Sequence, residues 1–351
     1  MAKKNYKTTK IPSLIDMHVH FREPGFEYKE TIETGIKSAR AGGFSGVCTM
    51  PNTNPVVDNV KVIKEILSKA KKYNFEIYPI AAITKNLDSL ELVDFKELKR
   101  AGAVGFSNDG LPLLDKDVFL NALKSEELIL SHCENETLEV EWQIEMFARA
   151  KEEGYNPRLH FCHISKKESI DLIREAKKRG LGITCETAPH YFTFTREDID
   201  TTGTYKMNPP LGSEIDKRAV MAGLLDGTID VIATDHAPHS AEEKLKPYLE
   251  APNGITGLET AFSLSYELLG LDKTLEKMAY NPRKILGINN KKMIEVALDE
   301  EWIVNPNLFQ SKCKISPYKG MKLKGIIIKC TGSFNSAHQA GIKTDHFKFN
   351  A

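Results

Sequence analysis

Eight times in succession a short run of β-branched or apolar residues is followed by a longer stretch of helical period. This rhythm limits the fold more than any other feature of the chain. The runs are Leu14 to Phe21, Ser45 to Met50, Glu76 to Ile83, Val104 to Ser107, Leu128 to Cys133, Arg158 to Ile164, Gly182 to Thr187 and Asp230 to Thr234. Between them lie stretches such as Val60 to Tyr73, where Val62, Ile63, Ile66 and Leu67 share one face, and Ser169 to Arg179, closed by Gly180. Such alternation is the sign of repeated βα units and a parallel sheet. Eight units within about 240 residues fit a closed (β/α)8 barrel of the TIM type better than an open doubly wound sheet. No G-x-G-x-x-G or Walker A loop follows any run, so a nucleotide would find no phosphate cradle.

The 351 residues suffice for one such barrel with little left over. Residues 1–13 read as an N-terminal tail, 14–289 as the catalytic barrel and 290–351 as a C-terminal extension, the remainder of a small β side domain that is reduced or absent. In that extension the βα rhythm stops, NPNLFQSKCKISPYKG is loop-like, and Lys324 to Cys330, KGIIIKC, reads as one strand of a side sheet.

Charge and cysteine usage narrow the partners. Lys and Arg number 48, as do Asp and Glu, so no global field draws in nucleic acid or an anionic membrane. Apolar runs such as Tyr78 to Ile83 fall far short of the roughly 20 residues of a membrane-spanning helix. MAKKNYKTTKIP is basic but has no apolar stretch behind it to act as a signal peptide. The expectation is a cytoplasmic protein acting on a small molecule. The six cysteines show no C-x-x-C spacing, and Cys48, Cys162 and Cys185 lie in strand-like runs, as packed, reduced thiols do. Cys133 and Cys162 each sit beside a histidine, and the packed reading is preferred to a nucleophile there too.

In this barrel fold the active site lies where strands end and βα loops begin. Run 1 ends in D-M-H-V-H, and alternation points His18 and His20 to the same side. A single H-x-H carries little by itself. Run 4, however, leads into FSNDG, run 5 into SHCE, run 6 into CHIS and run 8 into ATDHAPH, delivering Asp109, His132, His163 and Asp235 to the same rim. Taken singly, Asp109 reads as a turn residue, Asp235 as a helix cap and the histidines as hydrogen-bonded strand ends. Six together do not. Four imidazoles and two carboxylates suit Zn²⁺ or Mn²⁺ and exceed one tetrahedral site, which points to two metals.

With these residues in hand, the chain resembles the amidohydrolase superfamily and, within it, the class I dihydroorotase family. The matching segments are HVHFREPGFEYKETIETG at 18–35, MPNTNP at 50–55, FSNDG at 106–110, HCE at 132–134, CHIS at 162–165, ETAPHYF at 186–192, MNPPL at 207–211, ATDHAPH at 233–239 and GLET at 257–260. The resemblance implies two Zn²⁺ ions: His18, His20 and Asp235 on one, His132 and His163 on the other, Asp109 bridging. The strand 4 motif has no lysine for a carboxylated bridge, and Asn108 before it leaves Asp109 as the carboxylate. It further implies that Arg22 and Asn52, with His239, hold a substrate carboxylate, that His20 also faces the substrate, and that Asn208 and the backbone at Asn253 and Gly254 meet the ring amides. Arg22 suits this task, since its planar fork holds a carboxylate by two parallel bonds. The implied reaction is reversible hydrolysis of (S)-dihydroorotate to N-carbamoyl-L-aspartate in de novo pyrimidine (UMP) synthesis, with Asp235 as general base and then acid.

Glu134, Glu186 and His190 stand as candidates to orient the imidazoles, whereas His160, His236, His338 and His346 read as structural or exposed. Two other functions stay open: a hydantoinase or allantoinase, or a silent homologue serving as a scaffold for aspartate transcarbamoylase. Only 15 residues precede Asp16, fewer than the family's side domain uses. The stretches from Asp109 to His132 and from His132 to His163 also look trimmed, which makes a homo-oligomer covering exposed apolar surface an expectation.

Overall fold

The computed structural model describes residues 6–330 and the backbone of 334–335. His338 and His346 lie outside the described residues. Eight parallel strands follow one another around a barrel: β2 (Leu14–Val19), β3 (Phe44–Thr49), β4 (Glu76–Ala81), β5 (Gly105–Phe106), β6 (Leu128–Ser131), β7 (Arg158–Phe161), β8 (Thr184–Thr187) and β9 (Val231–Ile232). The ring closes where His20 N donates to His236 O at 2.8 Å and Val19 bridges His236 in parallel. All eight expected strands are present; the seventh ends at Thr187 as expected and the other seven end one to three residues early, because their final residues turn into the loops that carry the site.

The helices between strands are set by local chemistry. Asn59 caps Val60–Lys72 by accepting from Val62 N, and the helix buries Val62, Ile63, Ile66 and Ala70 against the barrel while Lys69, Lys71 and Lys72 favour its C-terminus. Ser213 and Asp216 form a capping box on Glu214–Asp226, which stops at Gly227 with φ 86°. Lys116–Leu123, where trimming was expected, is present as a short helix, and Glu136–Glu152 follows β6. Inside the barrel Met17, Cys48, Met50, Ile80, Leu130, Cys162 and Val231 pack into a core separate from the one under the helices. All six cysteines are buried, and the packed reading holds for Cys133 and Cys162 as well.

The expected N-terminal tail is in part a strand. β1 (Thr9–Pro12) pairs antiparallel with β10 (Met293–Ile303), followed by β11 (Lys322–Cys330) and β12 (Phe334–Asn335), a reduced but real four-stranded side sheet. The loop-like stretch between β10 and β11 does not trail away. It crosses to the barrel, where Glu259 accepts from Gln310 N at 2.7 Å and Ser311 N at 3.2 Å, Ser311 Oγ donates to Glu30 at 2.5 Å, and Tyr318 is buried beside Phe194. No helix of the described residues is long and apolar enough to cross a membrane.

Candidate metal centre and substrate cavity

The C-terminal ends of five strands and the loops that follow them bring the six expected ligands together, and Asp109 stands at their centre. Its Oδ1 lies 3.2 Å from His18 Nε2, 3.4 Å from His132 Nδ1 and 3.9 Å from His163 Nε2, and its Oδ2 lies 3.5 Å from His20 Nε2. Asp235 Oδ1 is 3.1 Å from His20 Nε2 and 3.7 Å from His18 Nε2. Two donor triads result, His18–His20–Asp109 and Asp109–His132–His163, each with its donor atoms within 4.8 Å of one another. All these residues are buried. His163 and Asp235 adopt φ 36° and 47° to turn inward, and Arg22 adopts 62°. Three non-glycine residues in the left-handed region within one site mark strain held for function.

Hydrogen bonds on the outer ring nitrogens decide where the inner lone pairs point. His18 Nδ1 lies 2.8 Å from Glu186 Oε1, and His20 Nδ1 lies 2.9 Å from Asn52 Oδ1. Asn52 donates through Nδ2 to Asp109 at 3.1 Å, which fixes its oxygen toward His20. In their neutral form both rings carry the proton on Nδ1 and present a bare Nε2 inward, whereas with no metal bound, and despite burial, Asp109 favours the protonated form of His18. His132 likewise directs Nε2 at Glu134, 3.4 Å away, and turns Nδ1 to the centre, where it lies 2.8 Å from His163 Nε2. Bare nitrogens facing carboxylate oxygens at these distances repel unless positive charge stands between them. His18 Nε2 has no hydrogen-bond partner among the described residues. A donor set of this chemistry fits a borderline metal cation.

The electrostatics agree. Burial alone would push the Asp109 carboxyl up, but the facing His18 and His20 hold it well below the usual range; His20 and His18 do the same for Asp235 against the same burial. The carboxylates in turn demand positive charge. Despite burial, Asp109 and Glu134 raise His132 to about 9. Burial and the rings of His132 and His18 lower His163 to about 3. The imidazoles cannot all be cationic at once, whereas a metal satisfies them together.

Above the ligands lies a cavity of about 210 Å³, lined by His20, Arg22, Asn52, Asp109, His132, His163, Asn208, Asp235, Asn253 and Gly254, with Gly110 and Ala237 completing the wall. Two expected residues are not on it. His18 sits beneath, and His239 stands behind Arg22 and Asn253. Arg22 donates through Nε to Pro238 O at 3.1 Å, and its terminal nitrogens have no carboxylate or carbonyl acceptor among the described residues. Burial lowers its guanidinium somewhat, but Asp235 and Asp109 favour its charge. Gly254 has φ 125°, and a Cβ there would meet Ala237 O at 2.5 Å and His239 Nε2 at 3.2 Å, so only glycine lets the loop lie this close.

Among the residues left as candidates, Glu134 accepts from Asn208 at 2.9 Å as well as facing His132. Glu186 ties His18 to His160, 3.2 Å from its other oxygen. His190 packs against Tyr191, and neither of its ring nitrogens meets a hydrogen-bond partner among the described residues. His236 faces Glu30 at 3.5 Å and accepts from Gly257 N at 3.2 Å, away from the ligands. The sequence reading missed three supports, Asp16 and Glu136 buried and Lys29 half-buried. Asp16 accepts from His18 N and Thr234 N, joining the first and last barrel strands. Glu136 holds the His163 loop through Ser165 N, Ser165 Oγ and Lys166 N. Lys29 contacts His239 at 3.1 Å. Acidic positions opening a helix, such as Glu136, read as dipole partners, and only tertiary structure turns them inward.

Comparison with known proteins accords with this geometry. Residues 8–156 match the family described as dihydro-orotase-like. The dihydroorotase of Acetivibrio thermocellus is 43% identical, covering 90% of this chain and 84% of its own, and that of Desulforapulum autotrophicum is 40% identical, covering 91% and 84%. Among solved structures, the L-hydantoinase of Arthrobacter aurescens superposes with a TM-score of 0.78 at 23% identity, over 92% of this chain and 83% of its own. The Saccharomyces cerevisiae dihydroorotase in complex with 5-fluoroorotic acid gives 0.75 at 15%, over 92% and 99%. These two share the barrel fold. Identity of this degree over most of both chains, on a barrel whose strand ends carry the matching residues, makes the chain a member of the dihydroorotase family of the amidohydrolase superfamily.

Proposed function

We propose that the chain is a metal-dependent cyclic amidohydrolase that interconverts (S)-dihydroorotate and N-carbamoyl-L-aspartate, the cyclising direction serving pyrimidine synthesis. The observation that carries this reading is Arg22, half-buried, its terminal nitrogens meeting no carboxylate or carbonyl among the described residues, on the wall of a cavity that also presents five of the six ligands. A neutral cyclic amide leaves such a group unanswered, and a ring bearing a carboxylate pairs with it.

Two zinc ions complete the proposal, one held by His18, His20 and Asp235, the other by His132 and His163, with Asp109 shared. The two donor triads meeting at Asp109 support the count. Bound there, divalent metal supplies acidification of a water and polarisation of the ring carbonyl. The rest is work for side chains. Arg22 and Asn52 grip the substrate carboxylate, and Asn208 with the backbone at Asn253 and Gly254 orients the ring amides. Asp235 takes the proton of the attacking water as the new C–O bond forms. It then returns that proton to the ring nitrogen as the C–N bond breaks, and cyclisation runs the same steps backward.

A hydantoinase or allantoinase has no need of Arg22. Assayed side by side, dihydroorotate is turned over and hydantoin and allantoin are not; the reverse preference would sink the reading. A silent scaffold for aspartate transcarbamoylase accords poorly with six ligands all in place. Self-association belongs to the same proposal, supported by the exposed Leu114 and Leu138 on the wall of a cavity of about 720 Å³. A monomer in sedimentation at micromolar concentration would count against it.

A further inference from the structure

His239 does not line the cavity, yet both of its ring nitrogens are engaged, and the nearest partner of each favours one arrangement of protons, Glu243 Oε2 standing farther from Nδ1 at 3.7 Å. Lys29 Nζ lies 3.1 Å from Nδ1, and an ammonium only donates, so Nδ1 carries a lone pair. Asn253 O lies 2.7 Å from Nε2, and a carbonyl only accepts, so Nε2 carries the proton. Arg22 Nη2 is 3.2 Å from the same Nε2. A protonated Nε2 cannot accept from it, and that arginine donor stays available. In the opposite tautomer Nε2 would capture Arg22 Nη2, release Asn253 O and set an N–H against the Lys29 ammonium.

Lys29 is itself held. Glu243 Oε1 lies 3.2 Å away and also accepts from Tyr28 Oη, and Glu243 is fixed by the capping box with Ser240. Burial and the neighbouring Arg22 and Lys29 lower His239 to about 3, consistent with a neutral ring. On the other side of the loop Lys244 Nζ donates to Pro252 O and Lys206 O, so the Asn253–Gly254 backbone is pinned from both flanks.

We propose that Lys29, anchored by Glu243, is a positioning residue for substrate specificity. It locks His239 in the Nε2–H tautomer, which keeps the Arg22 fork free for the substrate carboxylate and holds the Asn253 carbonyl in place. This inference rests on the proposed function, because it assigns the free Arg22 donors to that carboxylate.

The test has a readout independent of turnover. In long-range proton–nitrogen correlation spectra of the ¹⁵N-histidine-labelled wild-type protein, with His239 assigned from a His239→Gln variant, the ring shows the Nε2–H pattern. Lys29→Met shows the Nδ1–H form or a mixture. In steady-state assays Lys29→Met raises KM for dihydroorotate about tenfold, the loss of roughly one charge-assisted hydrogen bond, with kcat within about twofold. Lys29→Arg, which also only donates, restores both readouts, as a merely structural role would not require. Should Lys29→Met fail to fold, Glu243→Gln loosens the same ammonium and shifts both in the same direction. A wild-type ring in the Nδ1–H form, or an unchanged tautomer and KM in the variants, overturns the inference. Absence of dihydroorotate turnover in the wild type, with the Nε2–H pattern intact, instead overturns the proposed function.

Discussion

Asp235 sits 3.1 Å from His20 and on the cavity wall, where it can both help hold a metal and exchange a proton with substrate. Asp235→Asn keeps the size and one oxygen donor but removes the base. Turnover is predicted to fall about a thousandfold in both directions while metal content stays near normal. Rates near wild type would remove the proton-shuttling role. At this scale most of the site was legible, because period-2 alternation along the first strand and the residues at later strand ends place side chains on one rim without knowledge of the loops. The tautomers were not legible. They depend on Asn52, Glu186, Glu134 and Lys29, which come from other loops and strands and reach the histidines only in the folded chain. Nor could alternation place His239 behind Arg22, since the loop after the last barrel strand turns at Asp235 with φ 47°.

The strands and helices of the barrel followed from hydrophobic period, with errors confined to their ends, where runs turn into loops. The elements misread were those whose partners are remote in sequence. Thr9–Pro12 becomes a strand only by pairing with Met293–Ile303, and the stretch between β10 and β11 orders through Glu30 and Glu259 on the barrel. Glu259 supplies a test of that clasp. Burial pushes its carboxyl up to about 8 from an ordinary 4.5, against the pull of Ser311 N, Ser38 and Gln310 N. The folded chain then holds this proton more tightly than the unfolded chain. The associated stability is fully present below about pH 4.5 and is lost as pH rises toward 8, by on the order of a few kcal/mol. Thermal midpoints between pH 5 and 9 should therefore fall less steeply in Glu259→Gln than in the wild type. Identical slopes would show that the clasp carries an ionised Glu259 throughout.

For the molecule as a whole, net neutrality, buried cysteines and a polar cavity over a histidine and aspartate cluster describe an enzyme for a small anionic ring. The barrel class was legible because eight repeats constrain topology far more than any one segment does. The side sheet was underestimated because its strands come from opposite ends of the chain. Metal ties the account together: the donor atoms of His18, His20 and His132 converge on Asp109 as the ligands of a cation would. The most direct measurement is dihydroorotate turnover and metal content on one sample, as isolated, after chelation and after zinc is titrated back. Activity should vanish on chelation and return in proportion to zinc, reaching its plateau near two ions per chain. Full activity in a chain stripped of metal would contradict the account.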